Sequence, residues 1–277
     1  MSTRGNSTDG GIAARHARRR LPLAIAPRAD KRSAQTVGPD HPAPDACWRI
    51  DTNRFRFGSS FPMPTAQNEL AMLRTLKTPG DDSTGLLAVF GHADATGDTA
   101  LNKVLSGRRA LAIYALLTRT AELWDELHQE PKAGDRWGME SLQIMLRRCG
   151  YEAGVADGKW SSAFKGGVEA FQRDHGLGVS GETDGATRKA LFAEYMDALC
   201  VDGDGEPFAY AKEDFLGLGQ SGDLRRAVQG CGELNPARVV SEAEAKRFEE
   251  RAHAEERDQE NGVNRRVLVF VFPKSAE

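Results

Sequence analysis

Asp94 and Arg109 carry the clearest chemical potential in this chain. Both lie in "FGHADATGDTALNKVLSGRRALAIYALL", Phe90 to Leu117, which starts as an apolar strand, passes a polar turn and continues as a helix. Asp94 falls just past the strand, and Arg109 falls about two turns into the helix. The turn between them is short, so both groups can face one pocket. A carboxylate suits an ammonium, and a guanidinium suits bidentate recognition of a carboxylate. Such a pair is a receptor for a zwitterion. The same spacing equally allows an internal Asp94–Arg109 salt bridge that only fixes the loop. Asn102 and Ser106 recur with Arg109 along one edge of the helix and are expected to shape the rim. Arg108 falls within the apolar face of Leu101, Val104, Leu105, Leu111, Ala112, Ala115 and Leu116. It should be paired or extend its charge to water, and it carries no assigned function.

Catalytic chemistry finds less support. His92-x-Asp94 could seed a metal site, but no further ligand stands at recognisable spacing. There is no nucleophile elbow and no HExxH. No catalytic residue, metal or cofactor is expected, and His92 is assigned to the turn. A hydrolase is the rival class.

Positioning the pair requires a strand and a helix, and the chain supplies both in alternation. "RFRF" from Arg54 to Phe57 alternates as a half-buried strand does. A helix follows, with Thr65 as cap, Leu70, Leu73 and Leu76 on one face, and Pro79-Gly80 as terminator. Leu86 to Phe90 is a short apolar strand, and the helix with Arg109 runs from about Ala100 to Arg119. Residues 121–135 are polar and charged, as in a connector. Residues 138–200 then read as three short helices. The first carries Leu142, Met145 and Leu146, and the second Phe164, Val168 and Phe171. The third follows the cap Asp184 and carries Leu191 and Tyr195. Ser241 to Glu260 is heavily charged, either a solvated helix capped by Ser241 or a disordered loop. Val267 to Phe272 is apolar without alternation, as in a strand covered on both faces. The front strands and the last strand are each too few for a sheet, so they are expected to join across the helical segment.

The whole chain sets the outer bounds. Its 277 residues suggest about two domains. Hydrophobic residues at 40% and charged residues at 28% are ordinary for a soluble globular chain. A net charge of −3 gives no general attraction for nucleic acid. No apolar run approaches the ~20 residues of a membrane span. Cys47, Cys149, Cys200 and Cys231 form no CxxC pair and are read as buried free thiols. Residues 1–46 read as a disordered basic, Pro-rich tail. Its "RRRLPLAIAP" is similar to the start of an export signal, but the apolar part is short and broken by Pro22, so no export signal is expected.

These residues carry two resemblances. "GHADATGDTALNKVLSGRRA" resembles the peptidoglycan-associating domain of the OmpA C-terminal family, with its GHTD-x-x-G, N-x-x-LS and RA elements. "FRFGSSFPMPTAQNELAML", "GCGELNP" and "NRRV" resemble further parts of it, so the match covers roughly 47–118 and 215–273. The resemblance implies that Asp94 and Arg109 hold the zwitterionic centre of diaminopimelate in the wall peptide, with Asn102, Leu105 and Arg265 shaping or bordering the pocket. Ala93 stands where the family usually has Thr, which removes one hydroxyl beside the ligand.

"LQIMLRRCGY", "DGKW", "VEAFQRDHGL" and "SGETDGATRKAL" resemble the small three-helix peptidoglycan-binding domain common in cell-wall hydrolases, over about 138–197. Ser161 and Phe164 depart from its usual Gly and Thr, and Gly166-Gly167 lies within its second helix. The implied fold class is α+β, an OmpA-like βαβα…β domain split by an inserted three-helix bundle. The parts are 47–118 and 201–277 for the domain, 119–137 for a connector, 138–200 for the insert and 241–262 for the charged segment. The implied function is non-catalytic binding of peptidoglycan at the cell envelope. A secretion-associated adaptor meeting the wall, through a protein partner on the insert or the tail, is the alternative. With no export signal, a cytoplasmic or non-classically exported protein is the alternative location.

Overall fold

In the computed structural model the apolar run at the chain's end lies between two strands from its front. The strands are β1 (Ala46–Ile50), β2 (Leu86–Gly91), β3 (Val228–Gly230) and β4 (Val267–Phe272), in the order β1-β4-β2-β3. The structure describes residues 43–51, 54–56, 58–217 and 224–276, and Val37–Glu277 is one compact unit. Both neighbours of β4 are antiparallel to it, with Val269 opposite Trp48 on one side and Val89 on the other. β2 and β3 are parallel. The sheet therefore joins strands from before and after the helical segment, and the fold is α+β.

Several expectations are corrected. The first strand is Ala46–Ile50, which enters the span read as tail; "RFRF" contributes only an isolated bridge between Phe55 and Pro62. Phe57 and the tail up to residue 42 lie outside the described residues. β4 is covered on one face only: Val267, Val269 and Val271 are buried, whereas Leu268, Phe270 and Phe272 are half-buried. A run of six apolar residues hides this alternation, because both faces carry greasy side chains. Thr65 lies inside a 3-10 turn, and α1 (Gln67–Leu76) starts without a side-chain cap.

α2 (Thr99–Leu117) is capped by Asp98, whose carboxylate accepts from Leu101 N at 2.9 Å. Leu101 and Val104, expected on the apolar face, are 52% and 42% exposed. Burial instead surrounds the second half, Ala112 to Leu117, because α2 packs on β2 and β3 and also on α3 (Ala121–Gln129). Contact with the sheet depends on Gly91, where a Cβ would collide with the Ser106 carbonyl oxygen.

α3 occupies the segment expected to be a connector. Ala121, Trp124 and Leu127 are buried along one narrow stripe. Trp124 is 0% exposed, and its indole N–H donates to Ala112 O at 2.9 Å. The expected three helices follow as α4 (Met139–Arg148), α5 (Ser162–Asp174) and α6 (Gly185–Leu199), with all eight named core residues buried. Two buried glutamines pin the connecting loops in the same way. Gln143 bonds Gly158 N and Lys159 O, and Gln172 bonds Gly181 N and Glu182 O. Asp184 caps α6 through Thr187 N. Ser161, one of the departures, caps α5 through Phe164 N. The bundle shares its core with the sheet domain and with α3: the Tyr195 ring lies 5.6 Å from Phe61 and 5.9 Å from Trp124, centroid to centroid.

The paired glycines of α5 differ. A Cβ at Gly167 would meet the Glu152 carbonyl, while Gly166 faces open space. Gly166→Ala is expected to raise stability by about 1 kcal/mol. Gly167→Ala should lower it by about 2 kcal/mol through overpacking. Urea unfolding of the two variants checks this; shifts of the same sign would contradict it.

The last segment includes α7 (Leu224–Ala227), α8 (Glu242–Phe248) and α9 (Ala254–Asn261). The charged stretch is thus two short helices, the first capped by Ser241 in a reciprocal bond pair with Glu244. All four cysteines are free thiols, of which only Cys200 is fully buried, and Cys47 is exposed. Among the described residues no helix is long and apolar enough to cross a membrane.

Candidate binding site

β2 ends at Gly91 and delivers His92, Ala93 and Asp94 to the head of α2. The loop is fixed by its backbone: His92 N donates to Arg266 O, and Ala93 N to Gly232 O, each at 2.8 Å. Burial and the nearby Arg266 charge push the His92 imidazole down to about 4, so it is neutral near pH 7. Its Nδ1 lies 3.0 Å from Leu234 O, which assigns it to the turn architecture.

Ala93, Asp94, Asn102, Leu105 and Arg109 line one cavity of about 200 Å³. Asn102 does so by clamping the loop, its Nδ2 donating to Asp94 O at 3.0 Å. Ser106 points elsewhere. Its hydroxyl accepts from Gly232 N at 2.8 Å, tying α2 to the segment after β3 rather than to the rim. Arg265 is at the border: its Nη1 is 3.1 Å from Asp94 Oδ2 and 2.9 Å from Asp258 Oδ1. Arg108 is buried and paired, with Nε 2.6 Å from Asp135 Oδ2 and the other nitrogens on the Leu127 and Glu130 carbonyls. Asp135 in turn accepts from Ser60 N at 2.8 Å.

No Asp94–Arg109 ion pair forms. Asp94 accepts from Thr96 N at 2.8 Å and from Arg265, which leaves lone pairs for further donors. Arg109 is 1% exposed, donates Nε to Ser59 O at 3.0 Å and Nη1 to His92 O at 3.2 Å, and lies 5.7 Å from the Phe55 ring centroid. Its Nη2 is buried without any hydrogen-bond partner. Burial and the Arg265 charge push the guanidinium down to about 10, so it is still cationic at neutral pH. A buried cation with an unused donor, on a residue that lines a cavity, suits an anionic group. An ammonium can join the Asp94 carboxylate on the same cavity.

Sequence reasoning missed Ser59, Asp258 and Arg136. The first acts through its carbonyl, which no residue type announces. Arg136 stands between buried Asp135 and Trp137 and also lines this cavity. Its signal was only a charge in a polar stretch.

Residues 138–191 match the family model described as "Putative peptidoglycan binding domain", a stretch well under half of the chain. That span covers α4, α5 and the first half of α6, and the match supports peptidoglycan binding in general. No curated protein and no solved structure matches the chain.

Proposed function

We propose that this protein is a non-catalytic peptidoglycan-binding protein, an OmpA-like domain interrupted by the helical peptidoglycan-binding insert. It holds the zwitterionic centre of diaminopimelate, the carboxylate on Arg109 and the ammonium on Asp94. The observation that carries this is the unpartnered Nη2 of buried Arg109 in the cavity that Asp94 also lines. The sheet order, in which the last strand pairs with both front strands, supports the split-domain reading. Asn102 and Leu105 shape the pocket, Arg265 borders it by holding Asp94, and Ala93 presents a methyl where the related domains carry a hydroxyl. The ligand lies in the cell wall, so the protein acts at the envelope.

Sedimentation with diaminopimelate-type peptidoglycan tests the proposal. The protein should pellet with the wall and be released by free meso-diaminopimelate. Retention that free diaminopimelate does not reduce contradicts the pocket.

A further inference from the structure

Next to the zwitterion cavity lies a cleft of about 550 Å³ that the sheet domain does not form alone. Phe61 and Arg56 make one wall, Glu140 of α4 makes the second, and Asp258 and Arg265 make the third. The helical insert therefore completes it. Arg136 lines both the cleft and the cavity, so the two spaces meet at its side chain.

The charges of the cleft are unevenly satisfied. Arg56 pairs with Glu140, and Arg265 pairs with Asp94 and Asp258. The exposed Arg136 guanidinium makes no hydrogen bond or ion pair among the described residues. Its backbone is nonetheless held firmly: Arg136 N donates to Gly58 O at 2.9 Å, and the flanking Asp135 and Trp137 are buried. A free cation on a fixed backbone, at the mouth shared by two cavities, is placed to take a second anionic group of a ligand already seated in the first.

We propose that the cleft is a second subsite of the same pocket, taking the carboxylate of the residue that precedes diaminopimelate in the stem peptide, with Arg136 as its partner. This rests on the zwitterion reading above. The γ-linked glutamate of a stem peptide keeps its α-carboxylate free, one residue from the diaminopimelate, and walls that amidate it lack that charge. The γ-linkage and the diaminopimelate side chain put nine bonds between the two charged carbons, a reach of ~10 Å when extended, so one ligand can enter both adjoining cavities. The insert then contributes to recognition by forming a wall of the cleft as well as through its own fold.

Isothermal titration with the tripeptide L-Ala-γ-D-Glu-meso-diaminopimelate and with its glutamate-amidated form tests the subsite. The wild type should prefer the acid about tenfold, and Arg136→Gln should bind both forms alike, a coupling read from the four affinities. Arg136 is exposed, so the substitution should leave melting unchanged. Equal wild-type affinity for acid and amide overturns the subsite and leaves the zwitterion pocket standing. A preference that survives in Arg136→Gln also overturns it. A wild-type protein that binds neither tripeptide overturns both readings.

Discussion

Arg109→Lys is expected to weaken binding to diaminopimelate-type peptidoglycan about a hundredfold, equivalent to ~2.7 kcal/mol, in a protein that stays folded. Lysine preserves the charge but not the fork. Wild-type Arg109 bonds the Ser59 and His92 carbonyls through Nε and Nη1 and leaves Nη2 without a partner. A lysine ammonium that reaches either carbonyl has no second, rigidly aimed donor for the ligand. Asp94→Asn should cost a similar amount by removing the charge proposed to face the ligand's ammonium. Its amide oxygen can still accept from Thr96 N, and Arg265 keeps Asp258. The two losses should not add, since in the proposed pocket both groups hold one ligand centre. Sedimentation and thermal melts on the same samples separate binding from folding. Wild-type retention in both folded variants would contradict the pocket.

Trp124→Ala should remove about 3–5 kcal/mol of stability, which unfolds many domains of this size outright. The indole is fully buried among Phe61, Trp137, Phe192 and Tyr195, with ring centroids 5.2–6.3 Å away. Truncation opens a cavity, breaks edge-to-face contacts worth about 0.5–1.5 kcal/mol each, and removes the indole hydrogen bond to the Ala112 carbonyl. Trp124→Phe keeps most of the area and should cost about 2 kcal/mol. Because these rings come from both the sheet domain and the insert, the two should unfold in a single urea transition. A loss under 1 kcal/mol for Trp124→Ala, or two separated transitions in the wild type, would contradict this shared core.

Trp124 also shows where the sequence was hard to read. α3 exposes Glu122 and Glu126 between its buried residues, so a stripe of only Ala121, Trp124 and Leu127 was masked by charge and read as a connector. The helices of the insert were legible because Leu142 and Met145, Phe164, Val168 and Phe171, and Leu191 and Tyr195 repeat at helical spacing, the third behind the cap Asp184. β1 was missed because only Ile50 of its five residues is fully buried, and an edge strand needs little patterning. Asp94 and Arg109 were legible as a pair from a short strand-to-helix turn. Their independence was not: Asp94 takes Arg265, 171 residues away, as its partner, a contact that no local spacing encodes. Arg136 was illegible for the same reason, since its neighbours in the cleft come from three separate parts of the chain.

In the proposed pocket Asp94 takes an ammonium and Arg109 a carboxylate, both on one carbon. Titrating the wild type with two stem tripeptides that differ only in their third residue tests it most directly. Meso-diaminopimelate ends its side chain in a zwitterion, whereas lysine ends in an ammonium alone. Binding of the diaminopimelate tripeptide with an affinity about a hundredfold above that of the lysine tripeptide is the expected result. Equal affinity for the two would contradict the claim.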